Sequence, residues 1–349
     1  MAIESTDPPD AMLPPPDAML PTLEEIDSAA ALVRSTMLPT PQYRWPLLCE
    51  RLGMDLWLKH ENHTPLGAFK VRGGLVYFAE LARRGGVERI VSATRGNHGQ
   101  SVAFAARRHG IEPIVVVPFG NSAEKNAAMR ALGARLIEHG HDFQEAREFA
   151  EAIAETERAT MVPSFDPLLV RGVATYGAEL FRAVDAIDTV YVPIGLGSGI
   201  CGTVAARNAL SPATKVVGVV SAHARAYALS FASKRPIDAE VSTQLADGMA
   251  CRTPQAEALE IIWRHVDRIV EVSDDEVAEA MRLIFECTHN CAEGAGAAAL
   301  AAAAKEREAS RGRTVAAVLS GGNVDSAVFA DVLAGSGPGI DGGSGSRRA

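Results

Sequence analysis

Long apolar runs are missing from the chain: no stretch reaches the roughly 18 residues that a membrane-spanning helix requires. Basic residues are in the minority, with Lys+Arg 34 against Asp+Glu 43 and a formal net charge of −9. That balance argues against a dedicated nucleic-acid surface. Aromatic residues make up only 5% of the chain, so its core must be built from small and aliphatic side chains. Cysteine is sparse and odd in number: Cys49, Cys201, Cys251, Cys287 and Cys291. Such spacing fits a reducing, cytoplasmic compartment better than a disulfide framework. Cys287 and Cys291 flank His289, but no further ligands stand at metal spacing, and buried thiols are the expected outcome. What the chain does have is 47% hydrophobic residues, which excludes wholesale disorder, and 31 glycines. A chain so rich in glycine has many places where backbone can come close to something.

The N-terminus carries a tandem copy, Pro8-Pro9-Asp10-Ala11-Met12-Leu13-Pro14 followed by Pro15-Pro16-Asp17-Ala18-Met19-Leu20-Pro21. Proline at that density opposes helix and sheet ladders, so residues 1–25 are expected to form a disordered or polyproline-like tail. The segment has neither the basic and apolar regions of a secretory signal nor an early basic residue; its first is Arg34. Met12 and Met19 are alternative translation starts to Met1. Residues 335–349 are rich in Gly and Ser and are expected to be a second flexible tail.

Between the tails, β-branched runs at Ile114–Val117, Val190–Ile194, Val216–Val220 and Val315–Leu319 alternate with helical stretches at Ser122–Leu132, Gly199–Leu210 and Val324–Leu333. Ser122 suits an N-cap, with Lys125, Arg130 and Arg135 interleaved among apolar positions. Short apolar strands followed by helices predict an α/β fold with parallel sheets covered on both faces. Ligands in such sheets sit beyond the carboxyl ends of the strands, so the loops there are where function is sought.

Four loops stand out. Lys59-His60-Glu61-Asn62-His63-Thr64-Pro65-Leu66-Gly67-Ala68-Phe69-Lys70 places a lysine after a turn. Lys70 is either a surface residue with a packed stem or, if buried, an amine of lowered pKa fit to form an imine and act as a base. His60 and His63 lack a third ligand and read as structural. Ser92-Ala93-Thr94-Arg95-Gly96-Asn97-His98-Gly99-Gln100 follows strand-like Arg89–Val91; it either grips a carboxylate and a cofactor oxygen or merely caps a helix through Thr94 or Asn97. Gly195-Leu196-Gly197-Ser198-Gly199 either cradles a single phosphate at a helix N-terminus or is an ordinary tight turn. It has neither P-loop nor dinucleotide spacing. Ser320-Gly321-Gly322-Asn323 offers a hydroxyl that either meets a cofactor ring or caps the next helix. The order of lysine, asparagine loop, glycine loop and serine says more than any one of them.

Gly67-Ala68-Phe69-Lys70-Val71-Arg72-Gly73, Gly96 to Gln100, Gly195 to Gly199 and Ser320 to Asp325 together resemble the fold-type II pyridoxal-phosphate enzymes, in the serine/threonine dehydratase branch that includes serine racemase. The resemblance runs from about Ile26 to Leu333. Trp45-Pro46-Leu47-Leu48 and Lys59–Pro65 look most like the dehydratase associated with hydroxyectoine utilisation. The resemblance implies a tryptophan synthase β-like fold: two parallel-sheet α/β domains with pyridoxal 5'-phosphate in the cleft. The larger would comprise residues 26–78 and 164–334, the smaller 79–163. It implies that Lys70 carries the cofactor and serves as base at Cα, that Asn97 bonds the ring hydroxyl, that backbone amides of Gly195, Leu196, Gly197, Ser198 and Gly199 hold the phosphate, and that Ser320 meets the ring nitrogen. Thr94, Gly96 and His98 would contact the substrate carboxylate, and Glu293 matches a glutamate near the cofactor.

The implied reaction is β-elimination of water from threonine or serine, giving a 2-oxo acid and ammonia; an acidic substrate such as 3-hydroxyaspartate is the alternative. Serine racemase-like activity is disfavoured, because Arg95 stands where a racemase has a proton-donating serine, and guanidinium stays protonated at neutral pH. Arg95 either pairs with a distal carboxylate of the substrate or bonds a neighbouring acid and turns outwards. A homodimer is implied; the charge balance and the lack of long apolar runs give no nucleic-acid or membrane partner, and no metal-ligand set can be assembled. Asp247, in Ala246-Asp247-Gly248, suggests a cation ligand without a set to complete it. The last strand and helix end near Leu333, so the added C-terminal regulatory region of biosynthetic threonine deaminases is not expected.

Overall fold

The computed structural model describes residues 15–335. Among the described residues, ten strands form two sheets. The larger contains β1 (Gln42–Tyr43), β2 (Asp55–His60), β7 (Thr189–Pro193), β8 (Lys215–Ser221), β9 (Arg268–Val272) and β10 (Thr314–Leu319), in the order β1-β2-β10-β7-β8-β9. The smaller contains β3 (Arg89–Ala93), β4 (Glu112–Val117), β5 (Arg135–Glu138) and β6 (Thr160–Met161), in the order β5-β4-β3-β6. Every pairing is parallel except β1 with β2.

The apolar runs are strands because both of their faces are buried. Along β10, Val315, Ala317 and Leu319 enter one core, while Ala316 and Val318 enter the core on the opposite face. Along β4, Ile114 and Val116 face one side, and Val115 and Val117 the other. This period of two with apolar residues at every position is the mark of a doubly covered parallel sheet. The helix Gly294–Lys305 lies against β7 to β10 and is buried from Gly294 to Ala303. Its alanines let it approach closely, which accounts for the scarcity of bulky core residues.

Two expectations about the ends of folded segments need correction. The tail expected over 1–25 is folded from residue 15 onward, and its first fourteen residues lie outside the described ones. Pro16–Met19 makes one 3-10 turn, and Asp17 in the second repeat copy pairs with Arg264 and His265. The helix Leu23–Arg34 then begins at a Thr22–Glu25 capping box, with Ile26, Ala29, Ala30 and Val33 buried at helical spacing. Proline tolerated in the first turn of a helix, together with those two basic partners, overrides its disfavour elsewhere. The boundary expected between 78 and 79 falls inside the helix Lys70–Arg84. Of the second expected tail, only Gly335 is described, as the left-handed cap of the helix Ser326–Ala334.

Candidate active site

All four loops follow the carboxyl end of a strand: β2, β3, β7 and β10 in turn. After β2, Thr64 Oγ1 accepts from Ala68 N (2.9 Å) and donates to Ala68 O (2.8 Å), closing the turn before Lys70. The turn is stitched to the β10 loop by Phe69 N to Ser320 O (3.0 Å) and Gly322 N to Gly67 O (2.8 Å). Lys70 is therefore delivered at the first position of its helix, against the end of β10.

Lys70 is half-buried as a residue, yet its amine is enclosed by protein and donates to Ser198 Oγ at 3.1 Å. Desolvation lowers its pKa to about 8, and no acidic group contributes to the shift. Ser198 opens the helix Ser198–Leu210, whose cap is Gly197 with φ +103, a left-handed backbone that suits glycine. No side chain caps this helix, so its first amides are left for an anion. Leu196, the interruption in the glycine run, packs half-buried on the core beneath, and its carbonyl accepts from Tyr227 Oη (3.1 Å).

The β3 loop does two jobs. Thr94 Oγ1 accepts from Gly96 N (3.1 Å) and Gly99 N (3.2 Å), which leaves its own hydrogen free to donate. Asn97 caps nothing. Its Nδ2 donates to Glu293 Oε1 (2.5 Å), and its Oδ1 accepts from Asn323 Nδ2 (2.8 Å). Ser320 is buried and donates weakly to Ala295 O (3.3 Å), so it caps no helix either.

His98 is buried and bonded to the backbone of Pro163. Proline has no N–H, so that partner is a carbonyl and the ring donates. Since Nε2 is the ring nitrogen without a partner, the donor is Nδ1 and Nε2 offers a lone pair. Burial first, and Lys70 second, depress the pKa to about 3. A neutral ring presenting a lone pair suits a donor group, so a carboxylate contact at His98 would fall to its backbone.

Arg95 is exposed, in keeping with an outward turn, but it has no acid partner among the described residues. Asp247 pairs with Lys125 Nζ at 2.7 Å, and no cluster of metal-ligating residues exists among the described ones. His60 accepts from Trp45 Nε1 (2.9 Å), a structural role. All five cysteines are free; four are buried and Cys291 is half-buried.

The residues fit a phosphorylated, ring-bearing cofactor. An amine without an acidic partner touches an uncapped helix N-terminus, and a buried polar atom, His98 Nε2, lacks a hydrogen-bond partner in the protein. Native interiors rarely leave such atoms unpaired without a ligand or water to meet them.

Residues 33–321 match the family described as pyridoxal-phosphate dependent enzyme. The chain belongs to that family, and pyridoxal phosphate is its cofactor. It is similar to the L-threonine ammonia-lyase of Thermotoga maritima, 34% identical over 305 residues that cover 87% of this chain and 76% of that one. It is 32% identical to the biosynthetic L-threonine dehydratase of Pasteurella multocida over 82% of this chain, but spans only 56% of that relative. Among solved structures, the T.th. threonine deaminase superposes with a TM-score of 0.81 and 33% identity, covering 87% of this chain and 99% of that one.

Two residues close to the site escape a motif reading. Asn323 stands in the sequence only as part of a motif, yet it orients Asn97. Lys125 reads as one of several basic residues on a helix, yet it is buried beside Glu293. A lysine at the third position after an N-capping serine carries no signal of burial; only the packing of the two sheets supplies one.

Proposed function

We propose that the protein is a β-eliminating ammonia-lyase acting on a hydroxy amino acid of the threonine or serine type, releasing a 2-oxo acid and ammonia. The carrying observation is the buried Lys70 amine, free of any acidic partner and in contact with Ser198 at the head of the glycine loop. The names of the two relatives above support the substrate class.

When bound, the cofactor withdraws electrons from the substrate's Cα and so acidifies its proton. Lys70 anchors the cofactor and takes that proton; a pKa lowered to about 8 leaves roughly a fifth of the free amine unprotonated near pH 7.4, far more than an ordinary lysine would have. The amides from Gly195 to Gly199 hold the phosphate, reinforced by the dipole of the Ser198–Leu210 helix. Asn97 presents its remaining amide hydrogen to the ring hydroxyl. Ser320 would hold the ring nitrogen through its hydroxyl, a partner that carries no negative charge to favour its protonation. Thr94 directs its free O–H, and Gly96 and His98 their backbone, at the substrate carboxylate. In the net reaction the Cα–H and Cβ–O bonds break with loss of water, and hydrolysis of the C–N bond releases ammonia.

A finer reading places the enzyme in hydroxyectoine catabolism, on the strength of the Trp45–Leu48 and Lys59–Pro65 segments. A second substrate class, acidic hydroxy amino acids such as 3-hydroxyaspartate, rests on the place of Arg95 between Thr94 and Gly96, in the loop assigned to the substrate carboxylate. A panel of hydroxy amino acids scored for 2-oxo acid and ammonia tests all three. Wild-type turnover that vanishes in Lys70→Ala supports the lyase; a protein whose visible absorbance is unaffected by Lys70→Ala refutes it. Threonine turnover unchanged in Arg95→Ala, with none on 3-hydroxyaspartate, removes the acidic class.

A further inference from the structure

The orientation of Asn97 is enforced by a chain of contacts that leads out of the site and across to the other sheet. Asn323 Nδ2 donates one hydrogen to Leu66 O (2.8 Å) and the other to Asn97 Oδ1 (2.8 Å), so neither amide can flip without losing both bonds. Asn97 Nδ2 then points one hydrogen at Glu293 Oε1, which leaves the second for the ring hydroxyl. That arrangement needs an acceptor oxygen of Glu293 turned towards Asn97, which the ionised carboxylate offers on both of its oxygens. Glu293 is only 3% exposed, and burial pushes its pKa up.

The group that opposes this is Lys125. Its ammonium lies 3.3 Å from Glu293 Oε2, an ion-pair approach too poorly aligned to satisfy that oxygen as a hydrogen bond, and 2.7 Å from Asp247 Oδ2. Against the penalty of burial, the two carboxylates hold the ammonium above its usual pKa. Lys125 belongs to the helix Ala123–Ala131, which runs between β4 and β5 of the smaller sheet, whereas Glu293 caps a helix packed on the larger one. The same helix start is fastened to the loop after β10 in two more places. Ser122 bonds Asp325, and Glu124 accepts from Ser326 N (2.9 Å) and Oγ (2.6 Å). Gly96 makes room for the lysine stem: a Cβ there would lie 2.6 Å from Lys125 Cδ.

We infer that Lys125 is a positioning residue, supplied by the smaller sheet, which holds the Glu293 carboxylate in place and through it directs the Asn97 amide at the cofactor ring. This rests on the cofactor-facing role of Asn97 proposed above. Lys125 touches neither the substrate nor the reacting atoms; it and Asn97 both follow strands of the smaller sheet, and each meets Glu293 at the start of a helix packed on the larger one.

The test is a cycle on the holoenzyme with Lys125→Met, Glu293→Gln and the double variant, read by the visible absorbance and fluorescence of the bound cofactor and by kcat and KM on threonine. Lys125→Met is expected to alter the cofactor spectrum and lower kcat roughly tenfold, the order expected when one oriented hydrogen bond is lost, with KM changed less than about threefold. Lys125→Arg should restore both. In the Glu293→Gln background, removal of Lys125 should leave the spectrum where Glu293→Gln alone puts it. An unchanged spectrum in Lys125→Met, or equal spectral effects of Lys125→Met in both backgrounds, overturns the inference. If Lys125→Met alone does not fold, the double variant contains no unpaired buried carboxylate at position 293, and its spectrum against that of Glu293→Gln decides: a match supports the inference and a difference overturns it. A wild-type protein lacking a Lys70-dependent visible band would instead overturn the reading of the site itself.

Discussion

Replacing Arg72 by methionine should destabilise the protein far more than the loss of any surface ion pair. Its guanidinium, fully buried two residues beyond Lys70, donates to Glu61 Oε2 (2.7 Å) and Oε1 (3.0 Å), Glu179 Oε1 (2.8 Å) and Oε2 (2.8 Å), Thr175 Oγ1 (3.0 Å) and Thr40 Oγ1 (3.0 Å). Lys59, also fully buried, pairs with Glu179 at 2.7 Å, so the cluster holds two cations and two anions. Methionine fills much of the space but leaves two buried carboxylates facing one ammonium. Breaking a buried pair in this way costs about 3–5 kcal/mol, against roughly 0–1 for an exposed pair. At roughly 1.4 °C per kcal/mol for a chain of this length, the midpoint of thermal unfolding should fall by about 4–7 °C. Urea unfolding followed by far-UV circular dichroism measures the loss directly. Adding Glu61→Gln should recover at least half of it, because Lys59 and Glu179 then balance. Arg72→Lys should rescue poorly, since three hydrogens on a point charge cannot serve six acceptor contacts. A loss below about 1 kcal/mol in Arg72→Met would refute the reasoning.

Three other outcomes follow from the site. The buried Lys70 amine has a pKa of about 8 in place of 10.5, so recombination of the cofactor-free protein with pyridoxal phosphate should accelerate with a midpoint near pH 8; a midpoint at 10 or above would count against burial of the amine. Between those two values the unfolded chain holds a proton that the folded chain has released, so stability of the cofactor-free protein should rise across that window. Gly197→Ala puts a Cβ 2.5 Å from Ala258 Cβ at φ +103, and titration with the cofactor should reveal at least about tenfold weaker binding; wild-type affinity would show that the loop can relax. His98 should remain neutral, its imidazole resonances showing no titration between about pH 5 and 8; a midpoint near the ordinary 6.5 would contradict the depression by burial and Lys70.

Much of this arrangement is legible before the fold is seen. Parallel strands buried on both faces declare themselves as unbroken β-branched runs, so β4, β7, β8 and β10 fall within two residues of their expected limits. The loops after them are legible because close backbone approach demands glycine, and glycine leaves a mark in the text. Ser122 is readable as an N-cap, and its side chain does accept from Lys125 N (3.0 Å). The second repeat copy is not, because Pro16 occupies the first turn of a 3-10 helix and Asp17 finds partners almost 250 positions away.

Sequence alone determined several of the strands and the four chemically equipped loops, and the order of those loops carried the resemblance that implied the cofactor. The strands and loops depend on residues within a few positions of one another, where propensity, capping and backbone freedom act. Tertiary structure decided which charges are buried and with whom. Arg72 meets Glu179 across 107 positions and Lys125 meets Asp247 across 122, distances over which no local pattern carries information. A buried lysine and an exposed one are written alike. What separates Lys125 from Arg95 is that desolvation makes a partner obligatory for the first, and water makes one unnecessary for the second.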